Sequence, residues 1–189
     1  MTLYRPSLSL TVEDYNCLVA IAQQLQPKRV LEFGPGYSTY AWIEAGVPEI
    51  VSLECRDEWR KEKEREFSEF PNVSVQPYWN EAPQARVPED IGNFDLAFVD
   101  SPRGQPNKSA IKLPGQQDCN RLNTLVKAMS LSPISLLHDA ARVYERNSLA
   151  EMSKLGCEVE YFNYPGSYGM AKVTWPKQEQ TSSIKPSET

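Results

Sequence analysis

Short apolar segments alternate with segments of helical period over most of this chain, and this alternation constrains the fold more than any other feature. Strands that alternate with helices are joined by right-handed crossovers, which produce a mostly parallel sheet covered by helices on both faces. A chain of 189 residues can bury one substantial core. We therefore expect a single domain over residues 1–175, followed by a disordered polar tail over residues 176–189.

Seven strands and five helices are expected from these patterns. The strands are predicted at residues 27–34, 49–54, 72–78, 94–100, 134–139, 157–163 and 169–175. The helices are predicted at residues 11–25, 38–46, 57–70, 118–130 and 141–156. Thr11 and Asp14 have the spacing of a capping box, and Ser38 is the expected N-cap of the second helix. The last two strands have no helix between them, which predicts a hairpin and an antiparallel final strand.

Charge and cysteine spacing exclude several classes of protein. The net charge of −5 and the pI near 5.1 argue against a nucleic-acid partner, which would select a basic face. Four dispersed cysteines and a single histidine make a structural zinc site improbable and suggest reduced thiols. No apolar run approaches the roughly 20 residues of a membrane helix, and the first residues lack the pattern of a secretion signal. We expect a cytoplasmic protein without a membrane partner, and the oligomeric state stays open.

The segment EFGPG at residues 32–36 joins the first strand to the next helix through two glycines. A glycine turn lets the backbone approach a ligand closely and points helix N–H groups at it. A dinucleotide-binding fingerprint would have a third glycine at position 39, where this chain has Thr39. A carboxylate at Glu32 would repel a pyrophosphate and attract the ammonium and sulfonium groups of S-adenosylmethionine. The pattern therefore favours S-adenosylmethionine over a dinucleotide.

Acidic side chains end three further strands of the expected sheet. Glu54 ends the second strand, where a carboxylate accepts hydrogen bonds from the two hydroxyls of a ribose. Asp100 and Asp139 end strands that are neighbours in this topology, and His138 precedes Asp139. Two interpretations stay open for these residues. Asp100 and Asp139 would hold a divalent metal ion such as Mg²⁺, or His138 or Asp100 would take a proton from a substrate hydroxyl directly.

These segments together resemble the class I S-adenosylmethionine-dependent methyltransferases over about residues 11–175. The resemblance implies a Rossmann-like α/β fold with a seven-stranded, mostly parallel sheet, an antiparallel last strand and helices on both faces. It implies that Asn80 bonds the adenine amino group and that Trp79 packs on the adenine ring. The cofactor-binding residues that it implies are Glu32, Gly34, Pro35, Gly36, Ser38, Thr39, Glu54, Cys55, Trp79, Asn80 and Asp100.

The segments VDSPRG and LLHDAARVYE are similar to parts of the glucuronoxylan 4-O-methyltransferases of plants and their microbial relatives. This closer resemblance implies an active site built from Asp100, Gly104, His138, Asp139 and Arg142, with Glu145 supporting Arg142. It implies O-methylation of a carbohydrate-like or small hydroxylated substrate. Residues 101–117 contain three prolines, two glycines and no apolar period, and we expect them to form a mobile loop that closes over the acceptor. Two alternatives are an aminopropyltransferase-like enzyme and a module that binds S-adenosylmethionine without catalysis.

Overall fold

The computed structural model describes residues 10–81, 83–102, 121–162 and 167–176. Within these residues the chain forms seven strands and five helices. The strands are β1 (Arg29–Phe33), β2 (Glu49–Glu54), β3 (Val73–Pro77), β4 (Leu96–Val99), β5 (Ile134–His138), β6 (Glu158–Phe162) and β7 (Met170–Thr174). The helices are α1 (Val12–Leu25), α2 (Tyr37–Glu44), α3 (Asp57–Glu66), α4 (Leu122–Leu131) and α5 (Val143–Lys154).

The seven strands form one sheet in the order β3-β2-β1-β4-β5-β7-β6. The first five strands are parallel to one another, and β7 runs antiparallel to both β5 and β6. The chain therefore has the expected α/β, Rossmann-like sheet with an antiparallel last strand. Strand order reverses between β1 and β4, and ligands of such sheets bind beyond the carboxyl ends of the strands at this point.

Two apolar clusters cover the two faces of the sheet. On one face α1 and α2 pack against the strands through Tyr15, Leu18 and Trp42. On the other face α4 and α5 pack through Leu125 and Leu149. The central strands are buried on both faces, which explains why they appear in the sequence as continuous apolar runs.

Several helix boundaries differ from those expected from the sequence. The capping box of Thr11 and Asp14 is present as predicted. The second helix begins at Tyr37 with Gly36 as its N-cap, so Ser38 lies inside the helix instead of capping it. The third helix ends at Glu66 rather than at residue 70, and none of its residues is buried. It is a solvated helix whose charges pair with one another along its surface.

Parts of the sequence prediction fall outside the described residues. These parts are most of the loop at 101–117, including Gly104, and the tail from residue 177 onward. Among the residues that the structure describes, no helix has the length and apolar character needed to cross a bilayer.

Candidate functional site

The carboxyl ends of β2, β1 and β4 meet at one edge of the sheet. The Gly34 N–H donates to the Leu53 carbonyl at 2.8 Å, and the Asp100 N–H donates to the Phe33 carbonyl at 2.9 Å. Cys55 Sγ lies 4.0 Å from Ser101 Oγ, so the residues that follow Glu54 and Asp100 approach each other across the end of β1. The glycine turn therefore lies between these two acids.

Gly34 allows the end of β4 to approach the turn closely. Its φ of +96° lies in the region that favours glycine, and a Cβ built there would lie 3.0 Å from Ser101 Cβ. Gly36 differs, because its φ is −177° and a Cβ there would meet no atom within 4 Å. Gly34 is thus required by packing inside the protein, whereas Gly36 leaves space beside the turn. Pro35 between them is buried.

Glu32 lies beneath the turn instead of at its lip. The side chain is fully buried, and it accepts hydrogen bonds from Thr39 Oγ1 at 2.6 Å, Ser52 Oγ at 2.6 Å and Trp42 Nε1 at 3.1 Å. Burial raises its pKa, although these donors oppose the increase. This corrects the expectation that the carboxylate faces a bound cation: the group holds the strand and the helix together from inside.

Ser38 and Thr39 also point into the protein. Both residues are buried, and the Thr39 hydroxyl accepts from the Gly36 N–H at 3.0 Å while it donates to Glu32. Thr39 stands where a dinucleotide fingerprint has its third glycine. Its side chain connects the turn to Glu32, which a glycine could not do. For both hydroxyls, the expected contact with a cofactor is replaced by contacts below the turn.

Glu54 lies at the site edge with one carboxylate oxygen already bonded. Its Oε1 accepts from the Arg56 N–H at 2.8 Å and from Cys55 Sγ at 3.5 Å. Within the described residues, no hydrogen bond is formed by its Oε2. Because these contacts hold the carboxylate by Oε1, Oε2 is available to accept a hydrogen bond from a ribose hydroxyl.

Trp79 and Asn80 follow β3 at the same edge. Trp79 is 40% exposed and stacks with the Arg86 guanidinium, whose carbon lies 4.1 Å from the ring centroid. The backbones of these two residues also exchange hydrogen bonds of 2.9 Å. Asn80 Oδ1 is buried without a hydrogen-bond partner in the described structure. This amide oxygen therefore lacks the hydrogen bond that a buried polar atom normally forms.

His138 lies between two carboxylates at the end of β5. Its Nδ1 is 3.0 Å from Asp100 Oδ1, and its Nε2 is 3.4 Å from Asp14 Oδ2. Burial alone would lower the pKa of His138, but the charge and hydrogen bond of Asp100, together with Asp14, raise the pKa to about 10. The imidazole is therefore doubly protonated at neutral pH, and it is unsuited to the role of proton acceptor that the sequence suggested.

Asp100 and Asp139 lie side by side as expected, and Arg121 joins them. Arg121 Nη2 lies 3.1 Å from Asp100 Oδ1 and 3.4 Å from Asp139 Oδ2. Burial alone would raise the pKa of Asp100, but the charges of His138 and Arg121 outweigh it and lower the pKa. Asp139 adopts a φ of +60°, a conformation that is uncommon for a residue with a side chain.

Arg142 pairs with Asp139, and Glu145 has a different partner from the expected one. Arg142 Nη1 lies 2.8 Å from Asp139 Oδ2, and its guanidinium lies over the Tyr168 ring at 4.7 Å. Glu145 is fully buried, and the ion pair that it forms is with Arg121 Nε at 3.6 Å. Burial raises the pKa of Glu145. Glu145 therefore supports Arg121 instead of Arg142.

The three side chains Asp100, His138 and Asp139 have ligand atoms within 4.8 Å of one another, but the group does not fit a divalent cation. Arg121 and the His138 imidazolium already bond the same carboxylates, and both carry positive charge. A metal ion would have to displace them or remove a proton from the histidine. The metal interpretation of Asp100 and Asp139 is thus disfavoured by the charges around them.

Two contributors to this edge were missed from the sequence. Arg121 lies at the start of α4 and has no local signal, because its acidic partners are 18 to 24 positions away in the sequence. Asp14 was recognised only as a helix cap, although it also meets His138 and accepts from Ser167 Oγ at 2.8 Å. Only the tertiary fold reveals these contacts.

Neither a protein-family model nor a curated protein sequence matches this chain. Solved structures do match it. The S-adenosylhomocysteine-bound methyltransferase PaMTH1 of Podospora anserina is 21% identical, with a TM-score of 0.52, over 86% of this chain and 77% of its own. The O-methyltransferase TomG of Streptomyces achromogenes, solved with S-adenosylmethionine, is 14% identical, with a TM-score of 0.60, over 90% and 83%.

An O-methyltransferase of Bacillus cereus in complex with S-adenosylhomocysteine is similar to the same degree. It is 14% identical, with a TM-score of 0.61, over 89% of this chain and 84% of its own. The fold is that of S-adenosylmethionine-dependent methyltransferases. At these identities the likeness extends to the fold, and the activity of this chain has to be argued from its own residues.

Proposed function

We propose that this chain is an S-adenosylmethionine-dependent methyltransferase that methylates an oxygen atom of a carbohydrate-like or small hydroxylated substrate. One observation supports the proposal above all. The turn of Gly34–Gly36 lies between Glu54 on one side and Asp100 on the other, at the point where strand order reverses. A nucleoside site and a polar reaction site then share one cleft.

The residues around the turn fit S-adenosylmethionine. Gly36 leaves open space where any other residue would place a Cβ, Glu54 has one carboxylate oxygen available for a ribose hydroxyl, and Asn80 Oδ1 has no partner for its lone pairs. Glu32, Ser38 and Thr39 act from below by fixing the turn. When bound, S-adenosylmethionine would supply an electrophilic methyl group, and S-adenosylhomocysteine would be left after transfer.

Asp100 is the group that we assign to the acceptor. His138 and Arg121 both bond its Oδ1, while the side chain remains 21% exposed. Its Oδ2 would accept a hydrogen bond from the acceptor hydroxyl and align that oxygen with the methyl group. Oδ2 would also take up the hydroxyl proton that the acceptor oxygen loses during the transfer. Because Asp100 is a weak base, this proton would leave late in the transfer.

Arg142 and Tyr168 would form the outer wall of the acceptor site. The Arg142 side chain is 38% exposed, pairs with Asp139 and lies over one face of the Tyr168 ring. An aromatic face beside hydrogen-bond donors suits a hydroxylated ring. This arrangement supports a carbohydrate-like acceptor. The solved structures that match this chain give no further support for that acceptor.

Cofactor binding tests the proposal directly. We expect calorimetry to detect both S-adenosylmethionine and S-adenosylhomocysteine, and Gly36→Ala to weaken both by about tenfold, since the added methyl group would project into the open space beside the turn where the ligand would lie. Gly46→Ala, just after α2, is the control: its φ of +77° makes the substitution strained, but it does not alter the turn, so the affinity for both compounds should stay unchanged. Absence of binding to either sulfur compound in the wild-type protein would reject the proposal.

Methyl transfer is then tested with labelled S-adenosylmethionine and a panel of sugars, uronic acids and phenols. Asp100→Asn should keep the cofactor affinity and lose most of the turnover. Activity should be the same with Mg²⁺ and with EDTA, because Arg121 and His138 occupy the carboxylates that a metal would need. A protein that binds the cofactor and methylates no acceptor would instead support the non-catalytic binding module.

A further inference from the structure

The side chain of Arg121 is the most highly connected group at the site edge, and the sequence does not single it out. It is only 2% exposed, yet every nitrogen of the guanidinium has a partner. Nε donates to the Pro102 carbonyl at 3.1 Å, and Nη1 donates to the His138 carbonyl at 2.9 Å. Nη2 meets Asp100 and Asp139. His138 also contacts both acids, but Arg121 additionally bonds a backbone carbonyl at each of the two strand ends.

These contacts determine which oxygen atoms of the two acids remain available. Arg121 bonds Oδ1 of Asp100 and Oδ2 of Asp139, and His138 and Arg142 bond the same two atoms. The other oxygen of each carboxylate is thereby left to the cleft. Without the guanidinium, Asp100 would keep only His138 as a charged hydrogen-bond donor among the described residues, and Asp139 only Arg142. One donor restrains rotation about χ2 less than two do.

The backbone contacts have the same effect on the chain itself. The carbonyl of Pro102 follows Asp100 by two residues, and the carbonyl of His138 immediately precedes Asp139. One planar group therefore fixes the backbone and the side chain of both strand ends at once. Lysine has a single nitrogen with three donors and cannot reproduce this planar fork.

Glu145 supports the guanidinium from the side of α5. Its carboxylate is fully buried, lies 3.6 Å from Arg121 Nε, and forms no hydrogen bond within the described residues. A buried acid in this position is explained by the charge that it faces. It gives a second means of perturbing Arg121 without changing Arg121 itself.

We propose that Arg121 is a positioning residue for methyl transfer, which sets the orientation of Asp100 and Asp139 toward the acceptor. At 2% exposure it acts through these two acids and does not contact the substrate. The inference rests on the proposed methyltransferase activity. The loss of Arg121 should lower the rate of methyl transfer and leave cofactor binding nearly unchanged. The reason is that Arg121 contacts the ends of β4 and β5, whereas Glu54 lies at the end of β2.

The test compares Arg121→Lys, Arg121→Ala and Glu145→Gln with the wild-type protein and with Arg146→Lys, an exposed control on α5. We expect Arg121→Lys to lower kcat by about a hundredfold, because a displacement of about 1 Å at a reacting group costs that much. Glu145→Gln should lower kcat by about tenfold. The affinity for S-adenosylhomocysteine should stay within about threefold in each variant, and added guanidinium should restore part of the activity of Arg121→Ala.

The outcomes separate the two proposals. A wild-type protein that binds neither sulfur compound overturns the proposed activity. An active wild-type protein whose Arg121→Lys and Glu145→Gln variants retain kcat overturns the positioning role alone. If Arg121→Ala does not fold, Arg121→Lys and Glu145→Gln decide the question. Equal losses of turnover and cofactor affinity would show that Arg121 only maintains the fold, which also refutes the proposal.

Discussion

His138 provides the sharpest prediction, because it is the only histidine in the chain. Asp100 and Asp14 face its two ring nitrogens, and Asp139 adds a third negative charge at 3.7 Å from Nδ1. We expect the ring to carry two protons throughout the neutral range, with a pKa of about 10 in place of the ordinary 6.5. Replacement of Asp14 by Asn should lower this pKa by about one to three pH units, because one opposite charge near the ring is lost.

The same shift predicts how stability depends on pH. A tenfold change in a protonation constant is worth about 1.4 kcal/mol, so a rise from 6.5 to about 10 corresponds to about 5 kcal/mol of stabilisation. The pKa is higher in the folded than in the unfolded protein, so this contribution is complete below about pH 6.5. It should decline between pH 6.5 and 10 and be absent above pH 10. Asp14 and Asp100 have lowered pKa values, so their contribution to stability is present at neutral pH and is lost only at acid pH, as the carboxylates take up protons.

Nitrogen-15 NMR of the imidazole measures the prediction without ambiguity of assignment. At pH 8 the wild-type protein should show two protonated ring nitrogens, and urea unfolding should show a decrease in stability between pH 7 and 9.5. Asp57→Asn is the matched control, because Asp57 is an exposed acid on α3. A neutral ring at pH 8, or equal effects of Asp14→Asn and Asp57→Asn on its titration, would refute the reasoning.

Three further predictions concern the glycine turn and its neighbours. Gly34→Ala should lower the free energy of unfolding by about 1–3 kcal/mol more than Gly46→Ala, as measured by chemical denaturation of the two variants. Both glycines have positive φ, but only at Gly34 would the added Cβ lie 3.0 Å from Ser101 Cβ. Thr39→Val should cost about 1–3 kcal/mol by the same assay, since Glu32 and the Gly36 N–H each lose a partner; an unchanged stability would contradict the role assigned to Thr39. Glu54→Gln should weaken S-adenosylhomocysteine binding about tenfold in calorimetry with no loss of stability beyond about 1 kcal/mol; an unaltered affinity would remove Glu54 from the site.

The sequence predicted those features that depend on local pattern. The order of strands and helices follows from apolar periodicity, and the capping box of Thr11 and Asp14 forms as expected. The positions of Glu54, Asp100 and Asp139 at one sheet edge follow from topology alone, since parallel neighbours end at the same edge. These inferences needed no knowledge of side-chain packing.

The remaining features depend on which way a side chain points, and the sequence pattern does not contain that information. Glu32 occupies a strand position whose side chain faces α2, so its carboxylate lies below the turn and not at its lip. His138 was assigned as a candidate base because its neighbours were unknown. Asp14, 124 positions earlier, is one of the three acids that raise the pKa of His138. Arg121 was missed for the same reason.

The contacts of Asp14 have a practical consequence for how the protein can be shortened. Its carboxylate holds the first turn of α1, the Ser167 hydroxyl just before β7 and the His138 ring in one place. The first helix is therefore an integral part of the candidate site at the carboxyl ends of the strands and not a separable segment. Proteolytic removal of the residues before Pro27 should expose the His138 ring to water and weaken the packing of the β6–β7 pair. Fragments that lack this helix should therefore be poor starting material for crystallisation or for ligand screening.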